Sequence, residues 1–174
     1  LEKAIKGEIP LGWDPDYGAR IGILPRTGSD RDVRWFEIDP CYVFHPMNAW
    51  VEGDVVFCDV GRHESMWRES MNDFAPSYLY RWEFDMTTGA VSERQIDDVS
   101  HAFPRVDDRA IGLRHRYGWA IAPRPGAEAQ GDRQRRGQLR AQGRLRRVLP
   151  PRNPGADDRA GVRRAAALVQ RDLA

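Results

Sequence analysis

Tyr42-Val43-Phe44-His45-Pro46-Met47-Asn48-Ala49-Trp50-Val51-Glu52 is the stretch that decides the fold. It is an apolar run that reads as a buried strand holding one histidine. Gly53-Asp54 follows, and then a second apolar run, Val55-Val56-Phe57-Cys58. Two such runs joined across Glu52-Gly53-Asp54 are a hairpin signal. A neutral imidazole inside an apolar strand suits a transition metal, which makes His45 a candidate ligand. One histidine does not hold a metal by itself, so the stretch points to a chemistry that needs further donors.

Outward from this hairpin the pattern stays β. Arg20 to Pro25 reads as a short strand ended by proline, and Val33 to Ile38 alternates as a second. Tyr78, Tyr80, Trp82 and Phe84 recur at period two, so they share one face of a strand and read as core. Asp85 to Gly89 is a turn, and Ala90 to Ile96 returns. A last strand is expected over Leu113 to Ile121. His63 to Ala75 reads as a polar excursion with a helical turn. This spacing predicts an all-β chain of successive small antiparallel sheets, as in a sandwich or the blades of a propeller.

Composition divides the chain. Residues 1–123 carry 14 Lys+Arg and 21 Asp+Glu, whereas residues 124–174 carry 13 Arg, no Lys and 5 Asp+Glu. All 17 aromatic residues lie at or before Trp119, so whole-chain averages describe neither part. Residues 123–174 offer little apolar surface to offset the entropy of ordering, which predicts disorder or loose helix outside the fold. An arginine-rich helix over Ala160 to Ala174 is one form it could take. A basic arm for a polyanion is one reading of this tail. A reading frame shifted in GC-rich DNA is the other, and the abrupt loss of aromatics favours it. Nucleic acid is therefore not an expected partner.

No run of about 18 apolar residues indicates a membrane span. Leu1 to Gly7 is charged and unlike a signal peptide. Cys41 and Cys58 are too few for a disulfide framework and read as small buried hydrophobes, so a cytoplasmic location is expected. The start at Leu1 rather than methionine suggests a longer reading frame. No phosphate loop, Cys-x-x-Cys pair or Gly-x-Ser-x-Gly elbow is present.

Five motifs together resemble one family. They are Gly18-Ala19-Arg20-Ile21-Gly22-Ile23-Leu24-Pro25-Arg26, Arg34-Trp35-Phe36-Glu37, Cys41 to Ala49, Asp97-Asp98 with Phe103-Pro104-Arg105-Val106-Asp107-Asp108-Arg109, and His115-Arg116-Tyr117-Gly118. In order and spacing they resemble the carotenoid cleavage oxygenases, which include lignostilbene dioxygenases and the retinal-pigment isomerase, over about residues 8–122.

The resemblance implies a seven-bladed β-propeller, of which residues 1–122 would supply about two to three blades. It implies a non-haem Fe(II) held by four histidines on the propeller axis, an apolar polyene or stilbene substrate, and O2 as co-substrate. A conjugated double bond would be split into two carbonyl products. His45 matches the third ligand in chain order. The first two would precede Leu1 and the fourth would lie beyond this chain, so the piece is expected to be inactive by itself. The family usually has glutamate immediately before Phe-Pro-Arg. Here Ala102 stands there, and losing such a support typically costs about 10–100-fold in affinity or activity.

Other candidates have plainer readings. Glu52 reads as structural at the hairpin, His63 as solvated, and His115, between two arginines, as a structural residue at a strand edge. Asp97-Asp98 and Asp107-Asp108 resemble paired carboxylates, but Arg94, Arg105 and Arg109 beside them favour loop salt bridges. The alternative function is a non-catalytic interaction module, through open strand edges, or polyanion binding through the tail.

Overall fold

Gly53 turns the chain at φ +59°, a left-handed value that costs a glycine nothing. Strand β3 (Tyr42–Glu52) therefore folds back on β4 (Val55–His63), with Glu52 opposite Val55. The computed structural model describes residues 12–68, 75–123, 143–148 and 166–168. The other strands are β1 (Ala19–Leu24), β2 (Arg34–Ile38), β5 (Ser77–Asp85), β6 (Val91–Gln95), β7 (Ala102–Arg105), β8 (Gly118–Pro123), β9 (Gly143–Val148) and β10 (Ala166–Leu168). They form three antiparallel sheets in the orders β10-β1-β2, β3-β4-β5-β6 and β7-β8-β9.

The central sheet is covered on both faces. One face presents Val56, Cys58 and Val60 from β4 and Trp82 and Phe84 from β5, packed with Ile21, Ile23, Phe36 and Cys41. Trp82 and Phe84 are fully buried and Tyr80 packs against them, as the period-two stripe predicts. Glu93 locks this layer. Its carboxylate accepts from Trp82 Nε1 at 2.6 Å and from the Asp39 backbone at 2.7 Å, tying β6 to the loop after β2. The opposite face packs Met47 and Leu79 against Val106 and Ala120 of the third layer.

Two expectations change. The segment expected as strand over Leu113 to Ile121 is strand only from Gly118, because side-chain hydrogen bonds hold residues 110–113 in turns. Part of the helical turn expected within 63–75 falls on residues 69–74, outside the described residues. In the same segment Met66 is fully buried, so the excursion is not wholly polar. The tail, expected as disorder or loose helix, supplies β9 along β8 and β10 along β1 where it is described. The open edges of β8 and β1 offer unpaired backbone groups, which any extended segment can satisfy. Among the described residues, no helix is long and apolar enough to cross a membrane.

Candidate functional site

Strand β3 does not alternate simply. Its pairing with β4 slips twice, between Val43 and His45 and again between Pro46 and Asn48, so Phe44 and Met47 are supernumerary. At a bulge two residues oppose one and the strand re-aims its side chains. Val43, Ala49 and Val51 pack on the first core, whereas Met47 belongs to the second. Paired residues share a face, so His45 opposite Gly61 and Asn48 opposite Asp59 lie on the side of the second core. Pro46 lacks an N–H and is tolerated because β3 is an edge strand of its sheet.

His45 is half-buried and ringed by aromatics. Its ring centroid lies 4.6 Å from Phe103 and 6.0 Å from Phe44, and Phe44 lies 5.6 Å from His63. Tyr42 and Trp67 extend the cluster, at 4.6 Å and 6.2 Å from Phe44. Phe44 is 42% exposed and Phe103 56% exposed, so the rings form a rim rather than a core. Trp67 and Phe103 both adopt φ +53°, and they are the non-glycine residues with positive φ among the described residues. That conformation costs about 1–2 kcal/mol per residue, so packing in this cluster must hold both.

His63 corrects its sequence reading. It is half-buried rather than solvated, and its Nδ1 donates to the Ala75 carbonyl at 2.7 Å. Burial lowers its pKa from the usual histidine range, the Ala75 hydrogen bond opposes this, and nearby His45 and His101 add to the lowering. His101 is buried and its backbone N–H donates to the Ser77 carbonyl. Ala102 is half-buried on β7, opposite Ile121. Among the described residues, no three His, Cys, Asp or Glu side chains are arranged to hold a metal ion. His45 offers one imidazole, and the described residues do not by themselves make an iron centre.

Beneath the rim lies a buried polar row. Arg81 forks onto Asp59, with Nε to Oδ1 at 2.7 Å and Nη2 to Oδ2 at 2.8 Å, from directly opposite positions on β5 and β4. Burial alone would raise the Asp59 pKa. The Arg81 fork and then His115 overcome this and hold the carboxyl below its usual range. Asn48 Oδ1 accepts from the Gly112 backbone at 3.0 Å, which orients the amide. Its Nδ2 donates to the carbonyls of Leu113 at 2.9 Å and Ala110 at 3.2 Å, and lies 3.1 Å from His115 Nδ1. With that orientation His115 Nδ1 accepts and Nε2 keeps the hydrogen. Nε2 sits 3.3 Å from Asp59 Oδ2, so its N–H dipole points toward the carboxylate side of the row. His115 is thus structural, a buried side chain in the loop before β8 rather than at a strand edge.

The remaining candidates are structural. Glu52 accepts from Trp50 Nε1 at 2.9 Å and pairs with Arg114 at 3.4 Å. Asp107 pairs with Arg109, whose side chain and backbone hold the carboxyl down at about 2. Asp97 accepts from the Val99 backbone, shaping its own loop. Cys41 and Cys58 are both buried, and burial first, then neighbouring Asp59, pushes the Cys58 thiol up to about 12, leaving it inert. Sequence reasoning missed the aromatic rim and the buried row. Pro46 inside a strand was a signal for an edge or a bulge, and Asp59 and Arg81, charges inside apolar strands, were a signal for a buried pair.

The model of the RPE65, retinal pigment epithelial membrane protein, family matches residues 1–140, and the chain belongs to that family. A carotenoid cleavage oxygenase of Mycobacterium tuberculosis (strain ATCC 25618 / H37Rv) is 40% identical over 121 residues, 65% of this chain and 24% of that protein. An isoeugenol monooxygenase of Pseudomonas putida is 35% identical over 126 residues, 66% of this chain and 26% of that protein. The crystal structure of Pseudomonas brassicacearum lignostilbene dioxygenase superposes with TM-score 0.61 at 28% identity, covering 72% of this chain and 28% of that one. Cobalt-substituted Synechocystis apocarotenoid oxygenase, at TM-score 0.57 and 23% identity over 63% of this chain and 24% of that one, shows the fold alone. The chain spans about a quarter of the length of the curated relatives it matches.

Proposed function

We propose that this chain is part of a non-haem Fe(II)-dependent dioxygenase that cleaves a conjugated C=C bond of a carotenoid, apocarotenoid or stilbene into two carbonyl products. In this reading its sheets are about two to three blades of a seven-bladed propeller, with the fold ending near residue 122. His45 contributes one of four imidazoles, and the other three are not among the described residues. Support comes from the family membership and from relatives named for cleaving carotenoids and oxidising isoeugenol. The single observation that carries it is His45 itself. A bulge presents this imidazole on an aromatic rim instead of satisfying it inside a core. Exposed rings suit an apolar conjugated substrate, and an imidazole among them suits a metal.

The experiment is a titration of the full chain with Co(II) as the probe metal, read by paramagnetic broadening of histidine ring signals. Four histidines keep that spectrum readable. The His45 signals are expected to broaden first and to be spared in no titration. Broadening that begins at another histidine and leaves His45 sharp overturns the ligand assignment. Incubation with Fe(II), O2 and a hydroxystilbene tests the second half of the reading. The chain alone is expected to release no aldehyde above a metal-free blank, and aldehyde formation that survives His45→Ala would place the chemistry elsewhere.

A further inference from the structure

We infer that Asn48 is a positioning residue: it locks the second bulge of β3 to the β7–β8 connection and so sets the geometry between His45 and Phe103. Asn48 occupies the first paired position after the supernumerary Met47. Every polar atom of its side chain is engaged by one short segment, residues 110–115, which lies between β7 and β8. Opposite it, Asp59 and then Arg81 continue a buried row straight across the sheet. The row fixes which residue of β3 faces β4 at this point, and hence where the bulge can form.

Three residues earlier on β3 is His45, and five residues before the 3-10 turn at Asp108–Ala110 is Phe103. The two rings meet at 4.6 Å. They belong to different layers, and Asn48 is a buried side chain whose hydrogen bonds span those layers beside them. Phe103 also carries a left-handed backbone, which persists only where its surroundings over-determine it. A loosened 110–115 segment would release both the strain and the ring contact.

This inference deepens the functional reading of His45, but its test uses no metal and no substrate, so either can fail while the other stands. In the full chain, the His45 ring lies against Phe103, so its proton signals are displaced by the Phe103 ring current. His45→Gln assigns those signals, and Phe103→Leu calibrates the displacement. Asn48→Ala is expected to return the His45 signals to the position seen in Phe103→Leu. Val56→Ala, which hollows the core cluster on the opposite face of the sheet, is expected to lower the melting temperature and leave the His45 signals in place. If Asn48→Ala does not fold, Asn48→Ser carries the same readout, since its hydroxyl can replace only part of the amide's bonding; a partial return of the signals is then expected. His45 signals unmoved in a folded Asn48 variant, with only the melting temperature lowered, would reduce Asn48 to ordinary core stability and overturn the inference.

Discussion

Asp59 and Arg81 show why single side chains decide so much here. Each sits in an apolar strand, 0% and 4% exposed, and each is acceptable only because the other is directly opposite. Removing one partner leaves an uncompensated buried charge, which typically costs about 3–5 kcal/mol. Arg81→Met is expected to lower the unfolding free energy by that order in urea titrations, and a loss under about 1 kcal/mol would contradict a buried, committed pair. The pH dependence has a fixed sign. Asp59 titrates lower in the fold than in the unfolded chain, where a carboxyl has a pKa of about 3.9. Its contribution is therefore complete above that value and is lost as pH falls below it through the folded value. Wild type is expected to lose stability below about pH 4 more steeply than Asp59→Asn does, as read by thermal melts across acid pH.

Among elements, the β3–β4 hairpin was the most legible and β3 itself the least. Glu52-Gly53-Asp54 between two apolar runs carries its turn chemistry in the open, since a two-residue loop with a left-handed glycine first matches strand twist. Gly53→Ala is expected to cost about 1–2 kcal/mol through that φ alone, measurable by denaturation. The Tyr78 to Phe84 stripe was legible for the same local reason, because period two maps directly onto one face. The bulges were not. Pro46 marks an edge or a bulge, but nothing in Phe44 to Asn48 says which residues will be left over; that depends on where Asn48 and Asp59 meet, a contact between neighbouring strands. His115 was hidden likewise, because its partners are 67 and 56 positions away along the chain. The layer contact is close-packed here, and a Cβ at Gly118 would run into the tip of the Met47 side chain. Gly118→Ala must swing that flexible tip aside and is expected to destabilise by no more than about 1 kcal/mol in the same assay, the low end of overpacking costs.

Across the whole molecule, the layers run in series, and both core clusters of described residues are built from segments before Pro123. The tail strands β9 and β10 add backbone pairing to two outer edges. A chain ending at residue 123 is therefore expected to keep a similar melting temperature and to self-associate more strongly in sedimentation, as bared edges seek new partners. A large fall in melting temperature with no change in sedimentation would show that the tail supports the cores instead. The family was legible because its motifs are short and local. The reach of the site was not, because among the described residues no three His, Cys, Asp or Glu side chains are arranged for a metal.

The two unpaired positions of β3 also make a statement about chain length. Excision of Phe44 or Met47 removes a residue that no partner on β4 faces, so every remaining rung can stay where it is. Excision of Ala49, a smaller side chain, forces all rungs on one side of the gap to move by one step and turn their side chains over. Under one-residue shortening, Phe44, bulky but exposed, is thus the dispensable residue and the alanine is not, with Met47, whose loss also takes a side chain out of the second core, in between. Circular dichroism melts of the three shortened chains are expected to rank in that order.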